Sequence, residues 1–256
     1  MESNPGATGA PPDAGVQMNF VQRLTGIYFE PARTFADINR KKSWLGIFII
    51  VSVLAMGVSY VMNTRIDRET RIRKGLEMSP IKIPEEKKEE VVKAALERPP
   101  GVMERLNFIF APVTVFVVYL IIAGAFLLVF LLMGVGLTYK ESLTISWWGM
   151  GPPGIIFSML NIVLMYVKDP GSLELDPSLN VASNLGLLVG DQKAHPVLAS
   201  LLSSLDLFTF WNIALLSIGF ATVSNGKLTT KKAATGVLGL WVLWVLGKAG
   251  YRAIVG

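Results

Sequence analysis

Five long apolar runs constrain the fold of this chain more than any other feature. A helix of about 20 apolar residues crosses the ~30 Å hydrocarbon core of a bilayer. Because a backbone in lipid must satisfy its own hydrogen bonds, each run is predicted to be an α-helix. The chain is therefore predicted to be an all-α polytopic membrane protein with five transmembrane helices. The predicted spans cover about residues 44–62, 108–136, 142–167, 198–223 and 234–254.

The composition supports this class and excludes several kinds of site. Hydrophobic residues make up 52% of the chain and charged residues 17%, whereas a soluble domain has about 25% charged residues. Too few charges remain to cover a water-facing surface. The chain has no cysteine, which excludes disulfides and cysteine-ligated zinc. His195 is its one histidine, so a site that needs two histidines is excluded as well.

The segment before the first span divides into two parts. Residues 1–17 are rich in Pro, Gly, Ala and Ser without an apolar period, and a disordered tail is expected there. Residues 18–43 are predicted to form an amphipathic element at the cytoplasmic membrane surface. Its first helix should end before Pro31, which suits the first position of the next helix. Phe35 continues the apolar face of that second helix, whereas Asp37 is placed outside it.

A charged insert follows the first span. Residues 63–105 carry eleven bases and nine acids in mixed order. Glu85 to Glu97 is predicted to be a solvated helix that Pro99-Pro100-Gly101 terminates. The insert is therefore expected to lie outside the membrane as a helical segment.

The third span contains the sequence Trp147-Trp148-Gly149-Met150-Gly151-Pro152-Pro153-Gly154. Pro152 and Pro153 remove two backbone donors, so a broken third helix is predicted. The break is open to two interpretations, a structural kink or carbonyls exposed to a cation. Asn161, beyond the prolines, is expected to hydrogen-bond a neighbouring helix. The two tryptophans, with Tyr139, are predicted to form an interfacial aromatic belt.

Asp206 is the acidic residue of the fourth span, and a carboxylate near hydrocarbon is costly. Three roles remain open for it. It is an N-cap that accepts from the Thr209 N–H, a buried packing or hydrogen-bonding group, or a site that binds a proton or cation during transport.

The distribution of basic residues bears on orientation. With the N-terminus inside, the inner segments hold nine bases and the outer segments fifteen, eleven of which lie in the insert of residues 63–105. Outside that insert the bases favour the inner side, as the positive-inside rule requires. We therefore predict a cytoplasmic N-terminus and a C-terminus on the opposite side.

Three stretches together resemble the Yip1-domain family of small membrane proteins. The first, Leu24 to Phe35, is similar to the family's F-x-x-P-x-x-T-F segment. The second is the proline-containing third span. The third, Ser204 to Trp211 followed by Leu215 to Gly219, resembles its D-x-F-x-x-W-x-x-x-L-x-x-x-G run. The candidate functional or family-motif residues are Pro31, Thr34, Phe35, Pro152, Pro153, Asn161, Asp206, Phe208, Trp211 and Gly219.

The resemblance implies five helices and a cytosolic N-terminus. Eukaryotic members are linked to vesicle traffic, membrane shaping and Rab-type small GTPases. The charged insert is like that of bacterial members, which implies the plasma (inner) membrane. A short tail replaces the long cytosolic region of eukaryotic members, and this argues against a small GTPase partner.

The chain lacks the motifs of common enzymes. It contains no H-E-x-x-H, no G-x-S-x-G and no phosphate-binding Gly-rich loop, so neither a cofactor nor an enzymatic activity is predicted. The leading hypothesis is a non-enzymatic protein that organises membrane or partner proteins. The alternative is a small transporter or channel that uses Asp206 and the broken helix. Expected partners are the lipid bilayer and a membrane protein or second copy, with no role for nucleic acid.

Overall fold

The computed structural model describes residues 17–79, 83–190 and 194–255. Across these ranges the regular structure is helical, which confirms the all-α prediction. The expected tail of residues 1–17 lies, apart from Gln17, outside the described residues. The helices are α1 (Phe20–Phe29), α2 (Pro31–Lys41), α3 (Leu45–Arg65), α4 (Arg68–Met78), α5 (Glu85–Glu97), α6 (Val102–Leu132), α7 (Tyr139–Val167), α8 (Pro177–Val181), α9 (Pro196–Ser203), α10 (Leu207–Val223) and α11 (Thr230–Val255).

Four helices of the described chain, α3, α6, α7 and α11, are long and apolar enough to cross a membrane. A fifth apolar helix, α10, is shorter, with 17 residues. The chain is thus a transmembrane helical protein with several candidate spans. α3, α6, α7 and α11 correspond to the first, second, third and fifth predicted spans, and their ends lie up to six residues from the predicted ones.

The sequence leaves the start of the fourth span open between Leu198 and Leu207, and α10 begins at Leu207, as the N-cap role of Asp206 requires. The chain leaves α9 after Ser203 and re-enters a helix at Leu207. Polar side chains compete for backbone groups in this gap: the Ser204 hydroxyl donates to the Ser200 carbonyl at 2.9 Å. The exposed backbone gains partners from an adjacent loop, because Leu207 N donates to the Ser183 carbonyl at 3.1 Å.

The prediction of a broken third helix is wrong. α7 is continuous through Pro152 and Pro153. Neighbouring helices pack directly on its glycines: a Cβ on Gly149 would lie 2.7 Å from Leu216 Cδ2, and one on Gly151 would lie 2.7 Å from Ile47 Cγ1. Close packing supports the turn of α7 that precedes the prolines, and such support is how spanning helices tolerate proline.

The helices define two ends of the bundle. α3 and α7 run parallel, because Ile47 lies beside Gly151 while Val61 packs with Met165. α10 runs the opposite way, since its Phe208 contacts Phe157 of α7 at 5.2 Å between ring centroids, whereas its later Leu216 contacts the earlier Gly149. We call the end with the starts of α3 and α7 the near end, and the other the far end.

The two tryptophans of the third span lie in the core and do not form the predicted belt. Trp147 is 0% exposed and Trp148 is 1% exposed. The Trp147 ring stacks on Tyr119 of α6 with centroids 3.7 Å apart, and Trp148 Nε1 donates to the Ser43 carbonyl at 2.8 Å. Tertiary packing buries these rings, because α3 and α6 contact Trp147 and Phe20 of α1 contacts Trp148. Tyr139, in contrast, is exposed.

The charged insert forms two helices, α4 and α5, and α5 coincides with the predicted helix. The insert is fastened to the far end of the bundle. Arg68 of α4 forms an ion pair with Glu104 at 2.7 Å, and Lys74 forms one with Glu174 at 3.0 Å. Val92 of α5 is buried, with 2% exposed. The insert therefore packs as part of the structure while its charged faces remain open.

Candidate functional site: the N-terminal docking site

The candidate residues from distant parts of the sequence converge where α1 and α2 pack on α7 and α10. We call this contact the N-terminal docking site and define it by six residues. They are Tyr28, Thr34, Phe35, Pro152, Trp211 and Gly219.

α1 and α2 are first joined to each other by a buried ion pair. Arg23 Nε donates to Asp37 Oδ2 at 2.8 Å, and the side chains are 6% and 9% exposed. Arg23 Nη1 also donates to the Ser43 hydroxyl at 2.7 Å, and Asp37 Oδ1 accepts from Met18 N at 3.3 Å. Asp37, which the sequence places off the apolar face of α2, is thus buried, and its charge is compensated inside the α1–α2 contact.

Helix ends and a small residue set the angle between α1 and α2. Asn19 caps α1 in a reciprocal pair with Gln22, and Pro31 occupies the first turn of α2 as predicted. Thr34 is fully buried and its hydroxyl donates to the Glu30 carbonyl at 2.9 Å. A Cβ on Gly26 would lie 2.5 Å from Thr34 Oγ1, so only glycine allows the two helices to approach this closely.

Phe35 attaches the pair to α10. Its ring is fully buried, and a Cβ on Gly219 would lie 3.0 Å from Phe35 Cε1 and Cζ and 2.8 Å from Ile145 Cγ2. Because Gly219 has no side chain, Phe35 and Ile145 pack directly against the backbone of α10 at this position. Two motif residues from opposite ends of the chain form this contact.

Tyr28 attaches the pair to α7 and to the start of α10. Its hydroxyl donates to the Pro152 carbonyl at 2.8 Å, and its ring lies 5.6 Å from Trp211 between centroids. Burial raises the pKa of Tyr28 to about 12, so the phenol keeps its proton and donates. Trp211 is also 6.5 Å from Phe208, with the two rings stacked, so the aromatic contacts continue along α10.

Pro153 and Asn161 are candidates that stay outside the docking site. Pro153 is buried in α7. Asn161 is fully buried, and neither Nδ2 nor Oδ1 has a hydrogen-bond partner among the described residues. The expected hydrogen bond from Asn161 to a neighbouring helix is therefore not formed in the part of the chain that the structure describes.

The structure places Asp206 at the N-cap of α10. Its Oδ1 accepts from Thr209 N at 3.0 Å, and its Oδ2 accepts from the Ser183 hydroxyl in a very short contact. The residue is half-buried. Both carboxylate oxygens are thus used to close the gap between α9 and α10 against the preceding loop.

Sequence reasoning did not identify Arg23 and Tyr28. The signal for Arg23 was its position, because it lies three residues after Phe20 and four before Ile27, on the apolar face of α1. A charge on an apolar face needs a partner when it is buried. The partner of Arg23 is Asp37 of α2. For Tyr28 the sequence carries no signal that distinguishes it from an interfacial aromatic residue.

The comparisons with known proteins agree with this geometry. Residues 25–249 match the family model described as the Yip1 domain. No curated protein and no solved structure matches the chain. The matched region contains the second half of α1, all of α2 and every residue of the docking site. Since the match covers most of the sequence, the chain belongs to the Yip1 domain family, whose members are generally non-enzymatic membrane proteins.

Proposed function

We propose that this protein is a non-enzymatic integral membrane protein that organises partner proteins at the membrane surface. The α1–α2 pair is its principal contact surface. The observation that carries the proposal is the docking site itself. Its motif residues hold α1 and α2 in one fixed position. A contact surface benefits from such preorganisation, because less conformational entropy is lost when a partner binds.

The outward side of the α1–α2 pair suits this role. Val21 is 65% exposed and Phe29 is 84% exposed. Arg33 and Glu30 lie next to them as an exposed ion pair at 2.9 Å, and Lys41 is exposed at the end of α2. Exposed apolar side chains surrounded by charges are the usual composition of a protein interaction surface.

The insert provides a second contact region at the far end. Arg73 lies between Glu69 and Glu89, with nitrogen–oxygen distances of 2.8 and 2.5 Å. Val91 and Leu96 remain 40% and 38% exposed beside this charged row. The two regions lie at opposite ends of the bundle, so one molecule can contact partners on both sides.

The orientation we propose places the near end in the cytoplasm. Lys42 at the near end pairs with Glu141 at 2.9 Å, which brings the base of α2 to the start of α7. The basic residues of the predicted inner segments, Lys41, Lys140 and Lys231 among them, therefore gather at one end. The positive-inside rule assigns such an end to the cytoplasm.

A transporter is the alternative, and one observation favours it. The apolar run of residues 198–223 is interrupted at Asp206, as in transporters with discontinuous helices. Two features of the structure weigh against transport: both Asp206 oxygens accept hydrogen bonds from the protein, and α7 is unbroken.

Photocrosslinking in the native membrane tests the proposed surface. A photoreactive amino acid replaces Val21 or Phe29, and a matched control replaces Leu128, which is 64% exposed on the lipid-facing side of α6. Discrete protein adducts from positions 21 and 29, with lipid adducts alone from position 128, are expected. Lipid adducts alone from all three positions would contradict a partner-binding surface.

Two further measurements test the proposed orientation and the transport alternative. Because the chain has no cysteine, a single cysteine at position 36 reports by maleimide labelling which side of the membrane holds α2. Ion flux in proteoliposomes compares the native chain with Asp206→Asn. If the native chain supports ion flux and the Asp206→Asn substitution abolishes it, the organising role is overturned in favour of transport.

A further inference from the structure

The far end of α11 carries a group of aromatic and basic side chains that the docking site and the insert do not use. Trp244, Gly247, Lys248 and Tyr251 lie at helical spacings of three and four residues, with Arg252 beside them. Such residues share one face of a helix. Trp244 is 69% exposed and Tyr251 is 51% exposed, so this face points away from the bundle.

The bundle side of the same helix segment is formed by other residues. Val245 and Ala249 are buried, with 9% and 7% exposed. A Cβ placed on Gly247 would meet nothing within 4 Å, so a shallow notch opens beside Lys248. The aromatic and basic face therefore surrounds a small open space on the surface of the helix.

The two cations of this face form no ion pair in the part of the chain that the structure describes. Within residues 17–79, 83–190 and 194–255, no ion pair involves Lys248 or Arg252. The acid that influences Lys248 electrostatically is Asp176, and its carboxylate caps α8 by accepting from Ser178 N at 2.9 Å. These two positive charges, one turn apart at the end of an apolar helix, are therefore available to bind an anionic ligand.

The depth of the face matches lipid headgroups. Lys232 near the start of α11 and Arg252 near its end are separated by about 30 Å at ~1.5 Å per residue. That separation equals the hydrocarbon thickness of a bilayer. When Lys232 lies at one headgroup layer, Arg252 lies at the other, and Lys248 reaches the same layer by extending its side chain.

We infer that Trp244, Lys248, Tyr251 and Arg252 form a binding site for one anionic phospholipid at the far end of α11. The phosphate lies between Lys248 and Arg252, and the Gly247 notch lets the glycerol backbone approach the helix. Trp244 and Tyr251 border the site at the level that amphipathic rings prefer. This inference rests on α11 alone and does not depend on the proposed partner-binding role of α1–α2.

Native mass spectrometry of the full chain in detergent tests the site. Phosphatidylglycerol and phosphatidylcholine with identical acyl chains are titrated separately. The native protein is expected to retain phosphatidylglycerol preferentially. In the Lys248→Met/Arg252→Gln variant the affinity for phosphatidylglycerol is expected to fall about thirtyfold. Each cation near an anionic headgroup contributes a comparable electrostatic attraction, and this variant loses two of them. Lys231→Gln/Lys232→Gln, at the other end of the same helix, is the matched control and should bind as the native chain does.

A fluorescence measurement on the native fold provides an independent readout. Brominated phosphatidylglycerol should quench tryptophan emission more than brominated phosphatidylcholine, and Trp244→Phe should remove this difference. Equal binding of the two lipids by the native chain, or unchanged phosphatidylglycerol binding in the Lys248→Met/Arg252→Gln variant, would overturn the inference. A change of oligomeric state in that variant without a change in lipid binding would instead identify the face as a contact between copies.

Discussion

Phe35 and Gly219 contact each other across the bundle, although they lie near opposite ends of the sequence. A Cβ on Gly219 would approach Cε1 and Cζ of the Phe35 ring to 3.0 Å. This contact, together with the Tyr28 hydroxyl on the Pro152 carbonyl, fixes the α1–α2 pair on α7 and α10. The family pattern of a phenylalanine near the start and a glycine in the fourth apolar run therefore describes one packing contact.

Gly219→Ala is expected to destabilise the protein by about 1–3 kcal/mol, because an added methyl overpacks the site against Phe35 and Ile145. Thermal unfolding in detergent, followed by tryptophan fluorescence, measures the change. Gly239→Ala is the matched control, since a Cβ there meets nothing within 4 Å, and it should be neutral or slightly stabilising. Equal effects at the two positions would contradict the packing role of Gly219.

Breaking the ion pair between Arg23 and Asp37 is expected to be more severe. Asp37→Asn leaves the buried guanidinium uncompensated and should cost about 3–5 kcal/mol. Arg23→Met/Asp37→Leu removes both charges and should recover most of the loss. The exposed pair of Arg33 and Glu30 is the control, and Arg33→Gln should change stability by about 1 kcal/mol or less. Limited proteolysis within α1 reports whether the pair detaches.

Asp206 is expected to act as a cap, and two substitutions distinguish this role from ion binding. Asp206→Asn preserves a good N-cap and should leave the unfolding temperature close to that of the native chain. Asp206→Ala loses the cap and should cost about 1 kcal/mol. If Asp206→Asn destabilised the protein as much as Asp206→Ala, the negative charge itself, and not the cap geometry, would be the requirement.

Asn161→Leu is expected to stabilise the protein, because the buried amide has no partner among the described residues and its desolvation costs about 1–3 kcal/mol. Asn161→Asp, which also keeps a polar group at this position, should destabilise it. Thermal unfolding of both variants tests the pair of expectations. A loss of stability in Asn161→Leu would show that the buried amide has a polar partner, such as an internal water molecule.

Local patterns predicted the individual helices well where a single segment carries the signal. Residues 85–97 were predicted to be a helix and form one, since the charge pattern and the following proline pair are local signals. Pro31 was placed correctly because the first turn of a helix accommodates a residue without an N–H. The tryptophans were misplaced because exposure is a property of neighbours: Tyr119 of α6 stacks on Trp147, and Phe20 of α1 contacts Trp148.

The continuity of α7 and the gap before α10 have one physical cause. Pro152 and Pro153 suggested a break, but Leu216 and Ile47 pack on the adjacent glycines and keep α7 intact. Residues 204–206 lie inside an apolar run, but the loop at Ser183 supplies hydrogen-bond partners for the backbone and for Asp206, and these stabilise a gap between two helices. In lipid, a helix breaks where other parts of the protein can satisfy its backbone, and the local sequence does not contain that information.

By itself the sequence determined that this protein is helical, that it spans a membrane several times and that it resembles the Yip1 family, because apolar length, charge content and short motifs are properties of single segments. Only the tertiary structure decided what the motifs do. It joined Arg23 to Asp37, placed Phe35 on Gly219 and Tyr28 on Pro152, and turned Asp206 into a helix cap. The first three are contacts between segments separated in the sequence, and the cap was one of three roles that the sequence left open until Ser183 was placed beside Asp206.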